Sequence, residues 1–310
     1  MTLKIAIASH IVLDFIKDIE GRTIESLGGP VCYSGLTSKK MHFDVIVATK
    51  VGTDFPKEIE QDLKQKGIMI KEHMHAKAFN TTRFYIRQEK EGRQLYLQKK
   101  CAPLVKEDIQ GIQTDCWMVS PVLDEIPTDV LEAIVKDGGA RNFVMLDPQG
   151  YTRVVNPGGR ISQIKNLDLN SLLDLSGIAA IKGEAAEIAA LTGGLYGIEG
   201  MKFLQHQKSV PIVICTESFV IHLLYNDIHY WLNLQEFRTA DSTGVGDILA
   251  AAFCCTYVKE NDPLWAICFG AGAVKAALQT RKEGLNKIPS ESEIEIDASY
   301  YYNSIEYEKI

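Results

Sequence analysis

The stretch richest in chemistry is Asp241-Ser242-Thr243-Gly244-Val245-Gly246-Asp247, followed by the apolar run Ile248–Phe253. Two glycines stand between a polar turn and a segment in which Ile248, Ala251, Ala252, Cys255 and Val258 recur at helical spacing, so a helix is expected from near Gly246. The first turn of a helix leaves backbone N–H groups unpaired at the positive end of its dipole. Gly244 and Gly246 carry no Cβ atoms to hold an anion away. That arrangement is a phosphate cradle. Asp247, ionised in the same first turn, could take a proton from an alcohol lying beside the phosphate. The plainer reading, in which Asp241, Ser242 and Thr243 cap a helix and the glycines make a turn, fits the same spacing.

The elements that must position this loop read as α/β. Short apolar runs with strand character (Leu3–Ala8, Asp44–Ala48, Cys116–Val119, Phe143–Leu146, Ile178–Ile181, Pro211–Cys215) alternate with segments of helical period. The helical segments are Val31–Met41, Pro56–Lys66, Thr128–Lys136, Glu184–Leu191 and Gly200–Gln207. Such alternation predicts a mostly parallel sheet covered by helices. His10–Ile24 and Thr81–Gln98 break the pattern, the latter as a hairpin turning at Glu91-Gly92. They predict a small antiparallel sheet inserted after the first and third core strands, a lid over the carboxyl ends where open α/β sheets bind ligands. A further hairpin is expected around Asn226-Asp227.

The loop closely resembles the Asp-Thr-Thr-Gly-Ala-Gly-Asp signature of the ribokinase/PfkB family of carbohydrate kinases. The resemblance runs along nearly the whole chain. Gly28-Gly29-Pro30-Val31-Cys32-Tyr33-Ser34-Gly35 and Val51-Gly52-Thr53-Asp54-Phe55 are similar to the family's first signature. Asp14 matches an aspartate that binds substrate hydroxyls, a suitable task for an acceptor-only carboxylate. Asp147-Pro148-Gln149-Gly150 resembles the Asp-Pro-Asn or Asp-Pro-Gln segment, and Arg153 beyond it is either a contact for an anionic group or a solvated loop arginine. Lys182-Gly183-Glu184-Ala185-Ala186-Glu187 resembles the Asn-x-x-Glu motif, with Glu184 where Asn is usual. Acidic residues are also favoured at any helix start.

What the resemblance implies is a ribokinase-like three-layer α/β/α fold over residues 1–310, a single catalytic domain with a lid from segments 10–27 and 79–100. It implies catalysis by Asp247 with the Gly244, Val245 and Gly246 anion hole, and substrate contacts from Asp14, Gly28, Gly29, Tyr33 and Arg153. It further implies ATP held near Lys182, Thr216, Thr243, Gly244 and Gly272, and Mg²⁺ held by Glu187 through water, a ligation that suits magnesium. Pairing through the edges of the lid sheet would give a homodimer. The sequence departs from the family at Tyr33, where asparagine is usual, and at Glu217-Ser218-Phe219-Val220, which lacks the glycines of the nucleotide loop. The small residues Gly270-Ala271-Gly272-Ala273 suit either an adenine ring or helix packing.

Composition narrows the alternatives. The chain has 310 residues, 46% of them hydrophobic, and a net charge of −7, which gives no pull toward nucleic acid or anionic lipid. Seven cysteines without CxxC spacing read as reduced core thiols. The apolar runs Ile248–Val258 and Leu264–Val274 are too short to span a bilayer, and Ala6-Ile7-Ala8 reads as part of a strand and not as a cleavage site, so a cytoplasmic location is expected. No Gly-Lys dipeptide occurs, which excludes a Walker A loop, and Leu249 stands where a dinucleotide fingerprint needs a small residue. His73-x-His75 lacks companions at zinc spacing. The expected activity is transfer of the terminal phosphoryl group of ATP to a hydroxyl of a small sugar, a polyol such as myo-inositol, or a nucleoside. A ribose- or nucleoside-type kinase and a non-catalytic sugar or nucleotide sensor stay open as alternatives.

Overall fold

The computed structural model describes residues 2–17, 20–89, 92–137, 143–164, 167, 177–236 and 241–310. Its central sheet begins with six parallel strands in the order β4 (Asp44–Ala48), β1 (Lys4–Ala8), β9 (Cys116–Val119), β10 (Phe143–Leu146), β13 (Ala180–Glu184) and β14 (Ile212–Glu217). Three antiparallel strands, β15 (Val220–Tyr225), β16 (Ile228–Asn233) and β17 (Glu306–Lys309), extend it beyond β14. The β15–β16 hairpin turns on Asn226 and Asp227, both at positive φ, which Asn and Asp tolerate.

The parallel strands are apolar along their central residues because both faces are covered there. Ile5 and Ile7, Cys116 and Met118, Met145, and Ile212 and Ile214 point into one layer, with helices α1 (Pro30–Lys40), α2 (Lys57–Gln65), α7 (Val245–Glu260), α8 (Pro263–Gln279) and α9 (Glu291–Ser304). Their neighbours Ala6 and Ala8, Trp117 and Val119, Val144 and Leu146, and Val213 and Cys215 point into the other, built on α4 (Thr128–Asp137), α5 (Ala185–Leu191) and α6 (Gly197–Lys202). The one-turn α3 (Lys106–Ile109) packs beside α4. The expected three-layer α/β/α architecture is therefore present. All seven cysteines are buried and unbridged, as core thiols should be. No helix of the described residues is long and apolar enough to cross a membrane.

The small sheet has the order β3 (Thr23–Gly28), β2 (Val12–Lys17), β7 (Arg83–Glu89), β8 (Gly92–Lys99), with β2 and β7 parallel and the outer pairs antiparallel. Its second half enters after the second core strand, β4, not after the third as the sequence pattern indicated. The turn expected at Glu91-Gly92 lies partly outside the described residues, but Gly92 pairs with Glu89. Two minor pairs complete the strands: β5 (Val51–Gly52) with β6 (His75–Ala76), and β11 (Arg153–Val155) with β12 (Ile161–Gln163). The expected helix over Gly200–Gln207 divides into α6 and a wide π turn at Phe203–Gln207. The strand expected at Ile178–Ile181 lies further along, because pairing with β14 carries it through the polar residues Lys182 and Glu184.

Buried polar groups join the two sheets. The His10 ring bonds Thr82 Oγ1 at 2.8 Å and the Ala102 carbonyl at 2.9 Å, and the buried Glu125 carboxylate accepts the amides of His10, Val122 and Leu123. Gly29 connects β3 to α1 at φ 87° and ψ 160°, a region open essentially to glycine alone. A Cβ there would lie 2.7 Å from the His10 carbonyl oxygen. Gly29→Ala is therefore expected to lower the unfolding free energy by about 2 kcal/mol or more, read from urea denaturation.

Candidate active site

The carboxyl ends of β10, β13 and β14 and the first turn of α7 enclose a cleft of about 500 Å³. Asp147, Gln149, Lys182, Glu184, Glu187 and Thr216 form its polar end, beside Gly244, Val245, Gly246 and Asp247. Phe219, Val220, Leu234, Val274 and Leu278 form an apolar end. The lining thus combines charged side chains with an apolar group.

The loop entering α7 has the geometry its glycines require. Gly244 is left-handed at φ 74° and precedes the first helical residue, Val245. A Cβ at Gly244 would lie 2.3 Å from the Tyr33 ring, so only glycine allows this approach. The Ile248 amide bonds the Gly244 carbonyl, which closes the first turn of the helix directly behind the glycines. Ser34 donates to the Asp247 carbonyl at 3.1 Å, which fixes α1 against this mouth.

Charge is concentrated here. Lys182 is almost wholly buried and its Nζ lies 2.8 Å from Asp147 Oδ2. Burial works against the ammonium, but Asp147, Glu187 and Asp247 outweigh it and hold Lys182 above the ordinary lysine range. A Cβ at Gly246 would be 2.9 Å from Lys182 Nζ, so the cation stands directly against the glycine turn. Asp147 is fixed in turn, with Oδ1 accepting the Gln149 amide at 3.1 Å. Burial, reinforced by Asp147, pushes Glu187 up to about 7 against the pull of Lys182. Glu187 Oε2 accepts the Glu184 amide at 2.8 Å and so caps α5. The capping and cleft-lining roles weighed as alternatives in the sequence are thus combined in one side chain.

Asp241 sets the other side of the loop. Its Oδ1 accepts the Thr243 amide and its Oδ2 accepts the Gly284 amide, each at 2.8 Å. These bonds and the nearby Lys287 ammonium hold its pKa below the usual carboxylate range in spite of burial. Thr243 contributes to this turn and does not line the cleft.

The residues expected to meet the acceptor lie outside the cleft. Asp14 on β2 is buried, and Oδ2 of its carboxylate would touch a Cβ at Gly28 at 2.7 Å, so Gly28 and Asp14 adjoin. Tyr33 is 1% exposed, and among the described residues its hydroxyl has no hydrogen-bond partner. Burial and the nearby Asp241, Asp247 and Asp14 raise its pKa, so it remains a donor. Arg153 donates to the Val122 carbonyl at 2.8 Å and to Gln149 Oε1 at 2.9 Å, which ties down the loop after β10. Gly272 does not line the cleft. It faces α9, where a Cβ would sit 2.7 Å from the Ile294 carbonyl, and Val274 and Leu278 on the same helix reach the cleft instead.

The sequence reading missed Leu234, Val274 and Leu278, which lie after β16 and on α8 and carry no motif, whereas Phe219 and Val220 belong to the glycine-free stretch that it singled out. It also missed Lys287, a lone lysine with no signal around it. Among the described residues no group of three or more His, Cys, Asp or Glu side chains is arranged to hold a metal ion. A hydrated magnesium asks for less than that, and the carboxylates of Glu187 and Glu184 at the polar end are oxygen donors of the right kind. His75 bonds Glu60 at 3.2 Å.

No family model and no curated protein matches this sequence. Solved structures do resemble it. A pyrophosphate-dependent kinase in the ribokinase family, seen as its sulfate complex, is 20% identical with a TM-score of 0.80 over 94% of this chain and 99% of that one. A pyrophosphate-dependent myo-inositol-1 kinase converted by mutation into a myo-inositol-3 kinase is 19% identical, with a TM-score of 0.79 over 96% and 99%. Ribokinase from Thermotoga maritima is 18% identical, with a TM-score of 0.73 over 96% and 99%. At these identities the likeness is one of architecture: the sheet between two helical layers, with its small second sheet and the glycine turn at the mouth of α7, is the ribokinase-like fold.

Proposed function

We propose that this protein is a kinase that transfers the terminal phosphoryl group of ATP to a hydroxyl of a small sugar, a polyol such as myo-inositol, or a nucleoside. The observation that carries the reading is the mouth of α7, where Asp247 and the Gly244–Gly246 amides open into a cleft with a charged end and an apolar end. Asp247 would accept the proton of the acceptor hydroxyl as its oxygen bonds to the terminal phosphorus and the bond from phosphorus to the leaving diphosphate breaks. Such a transition state is loose, so positioning and charge neutralisation supply most of the rate. The amides of Gly246 and Asp247 and the Lys182 ammonium would face the charge that develops on the phosphoryl oxygens. Asp147 would keep Lys182 aimed there. Glu187, through water, and Glu184 would hold Mg²⁺, which when bound screens charge on the phosphates.

Asp14, Gly28, Gly29 and Tyr33 would meet the acceptor, the Tyr33 hydroxyl finding there the partner it lacks among the described residues. The small sheet would act as a lid that excludes water and suppresses hydrolysis. Pairing of two chains through this sheet, and a cytoplasmic location, belong to the same reading.

The donor has a second reading. Two of the similar structures are pyrophosphate-dependent kinases, and Glu217-Ser218-Phe219-Val220 lacks nucleotide-loop glycines. The apolar end favours ATP, since a flat base would cover Val220, Leu234, Val274 and Leu278, which pyrophosphate would leave wet. Incubation with Mg²⁺, either donor, and a panel of sugars, polyols and nucleosides tests this by ³¹P spectroscopy of the phosphate ester formed. Ester formation from ATP is expected; ester from pyrophosphate alone would replace the donor, and ligand-induced stabilisation without ester would indicate a sensor.

Asp247→Asn is expected to lower kcat by roughly a thousandfold or more while acceptor binding, measured by calorimetry, changes only a few-fold. A second expectation concerns the ligand-free protein. A carboxyl whose pKa is raised on folding contributes stability below its ordinary value and loses it as pH rises through the folded value, here about 7 for Glu187. Between about pH 5 and about pH 8 the unfolding free energy of the wild type should therefore decline more steeply than that of Glu187→Gln. Parallel denaturation profiles would contradict the assignment.

A further inference from the structure

Lys287 closes a one-turn 3₁₀ segment, Gly284–Lys287, between α8 and α9, and its side chain is 0% exposed. Its Nζ lies 2.9 Å from Asp241 Oδ2 and 3.0 Å from the Asp241 carbonyl oxygen, and 5.6 Å from the centre of the Tyr33 ring. The ammonium is thus held by a carboxylate, a peptide oxygen and an aromatic face. Burial lowers its pKa against the attraction of Asp241 and Asp247. Replacing a buried ion pair by apolar residues often leaves a protein as stable or more so, so stability alone does not account for this one.

The position accounts for it. Among the described residues the contacts of the ammonium lead to the glycine turn: Asp241 opens the turn and ties Thr243, and the Tyr33 ring fills the space that a Cβ at Gly244 would need. The geometry points to Lys287 as a positioning residue: a cation built into the chain that holds the Asp241–Gly246 turn in its anion-receiving shape and adds positive charge behind it. The inference rests on the proposed phosphoryl transfer and names what keeps that site in order. It has a chemical consequence. A tethered ammonium leaves no need for a dissolved monovalent cation, whereas cutting the side chain back leaves a carboxylate, a carbonyl and a ring around a space that fits ammonium or potassium ions.

The test compares wild type, Lys287→Ala and Lys287→Met at constant ionic strength, exchanging tetramethylammonium chloride for potassium, ammonium or methylammonium chloride. Wild-type turnover and melting temperature are expected to be the same in every salt. In tetramethylammonium, Lys287→Ala should lose roughly a hundredfold in kcat, with acceptor KM changed much less. Ammonium or potassium should return at least about a tenth of the lost kcat and raise the melting temperature of the alanine variant. Lys287→Met, whose side chain fills the space, should be impaired and not rescued.

Activation of the wild type by potassium would overturn the proposal. So would near-normal kcat in Lys287→Ala, or a folded alanine variant whose turnover and melting temperature ignore all the cations. The melting arm keeps the two readings separate: absence of turnover in the wild type would refute the kinase, while cation-specific stabilisation of Lys287→Ala alone would still establish the built-in cation. Should Lys287→Ala not fold in tetramethylammonium, folding restored by ammonium or potassium upholds the proposal and failure to fold in every salt overturns it.

Discussion

Two buried lysine–aspartate pairs, Lys182 with Asp147 and Lys287 with Asp241, stand on either side of the turn that begins α7, and the site depends on their balance. Asp241, Asp247, Asp147 and Glu187 crowd into a small volume of low dielectric, where like charges repel strongly and desolvation favours protonation. Glu187, whose pKa burial and then the nearby Asp147 raise to about 7, shows the effect. The lysines therefore do more than join elements: they set two cations beside the mouth of α7, among its carboxylates.

Topology explains why these groups meet. In a parallel sheet the residues that follow each strand emerge on one side, so Asp147 after β10, Glu184 at the end of β13 and Thr216 near the end of β14 arrive at a common edge. The register places Leu146 beside Ile181 and Glu184 beside Thr216, which leaves little freedom in their spacing. α7 reaches the same edge from one covering layer and α5 from the other. Packing, not the local sequence of the loops, fixes the distances: Ser34 on α1 holds the Asp247 carbonyl, and Tyr33 on the same helix supports Gly244.

How much of this could be read in the sequence follows from the range of each interaction. The strands and the main helices were legible because burial on two faces or one writes a period into consecutive residues. The glycine turn was legible because two glycines between a polar turn and an apolar helical run are a signal in themselves, although the Tyr33 ring and Lys182 ammonium that crowd them lie far away in the chain. Asp14 and Gly28 were suggested by resemblance, and they do adjoin. By contrast, the small residues around Gly272 suited either an adenine ring or helix packing, and nothing local distinguishes the two uses; in the structure Gly272 serves the close approach of α9. Arg153 was open to two readings, an anion contact or a solvated loop arginine, and its guanidinium donates to the Val122 carbonyl and to Gln149. Lys287 was invisible because its partner lies 46 residues earlier in the chain, and a lysine beside Leu285 and Ile288 looks like any other.

The two ends of the cleft also bear on what the fold allows to vary. The polar end is assembled from strand ends whose register the whole sheet enforces, so a change there disturbs charges that hold one another in place. The apolar end is assembled from Phe219, Leu234 and the outer turns of α8, residues that meet only across the cleft. Substitutions on that side can alter the shape of the cleft without touching Asp247, Lys182 or the glycine turn, because the sheet fixes the strand ends while the flanking hairpin and helix shape the apolar part of the lining.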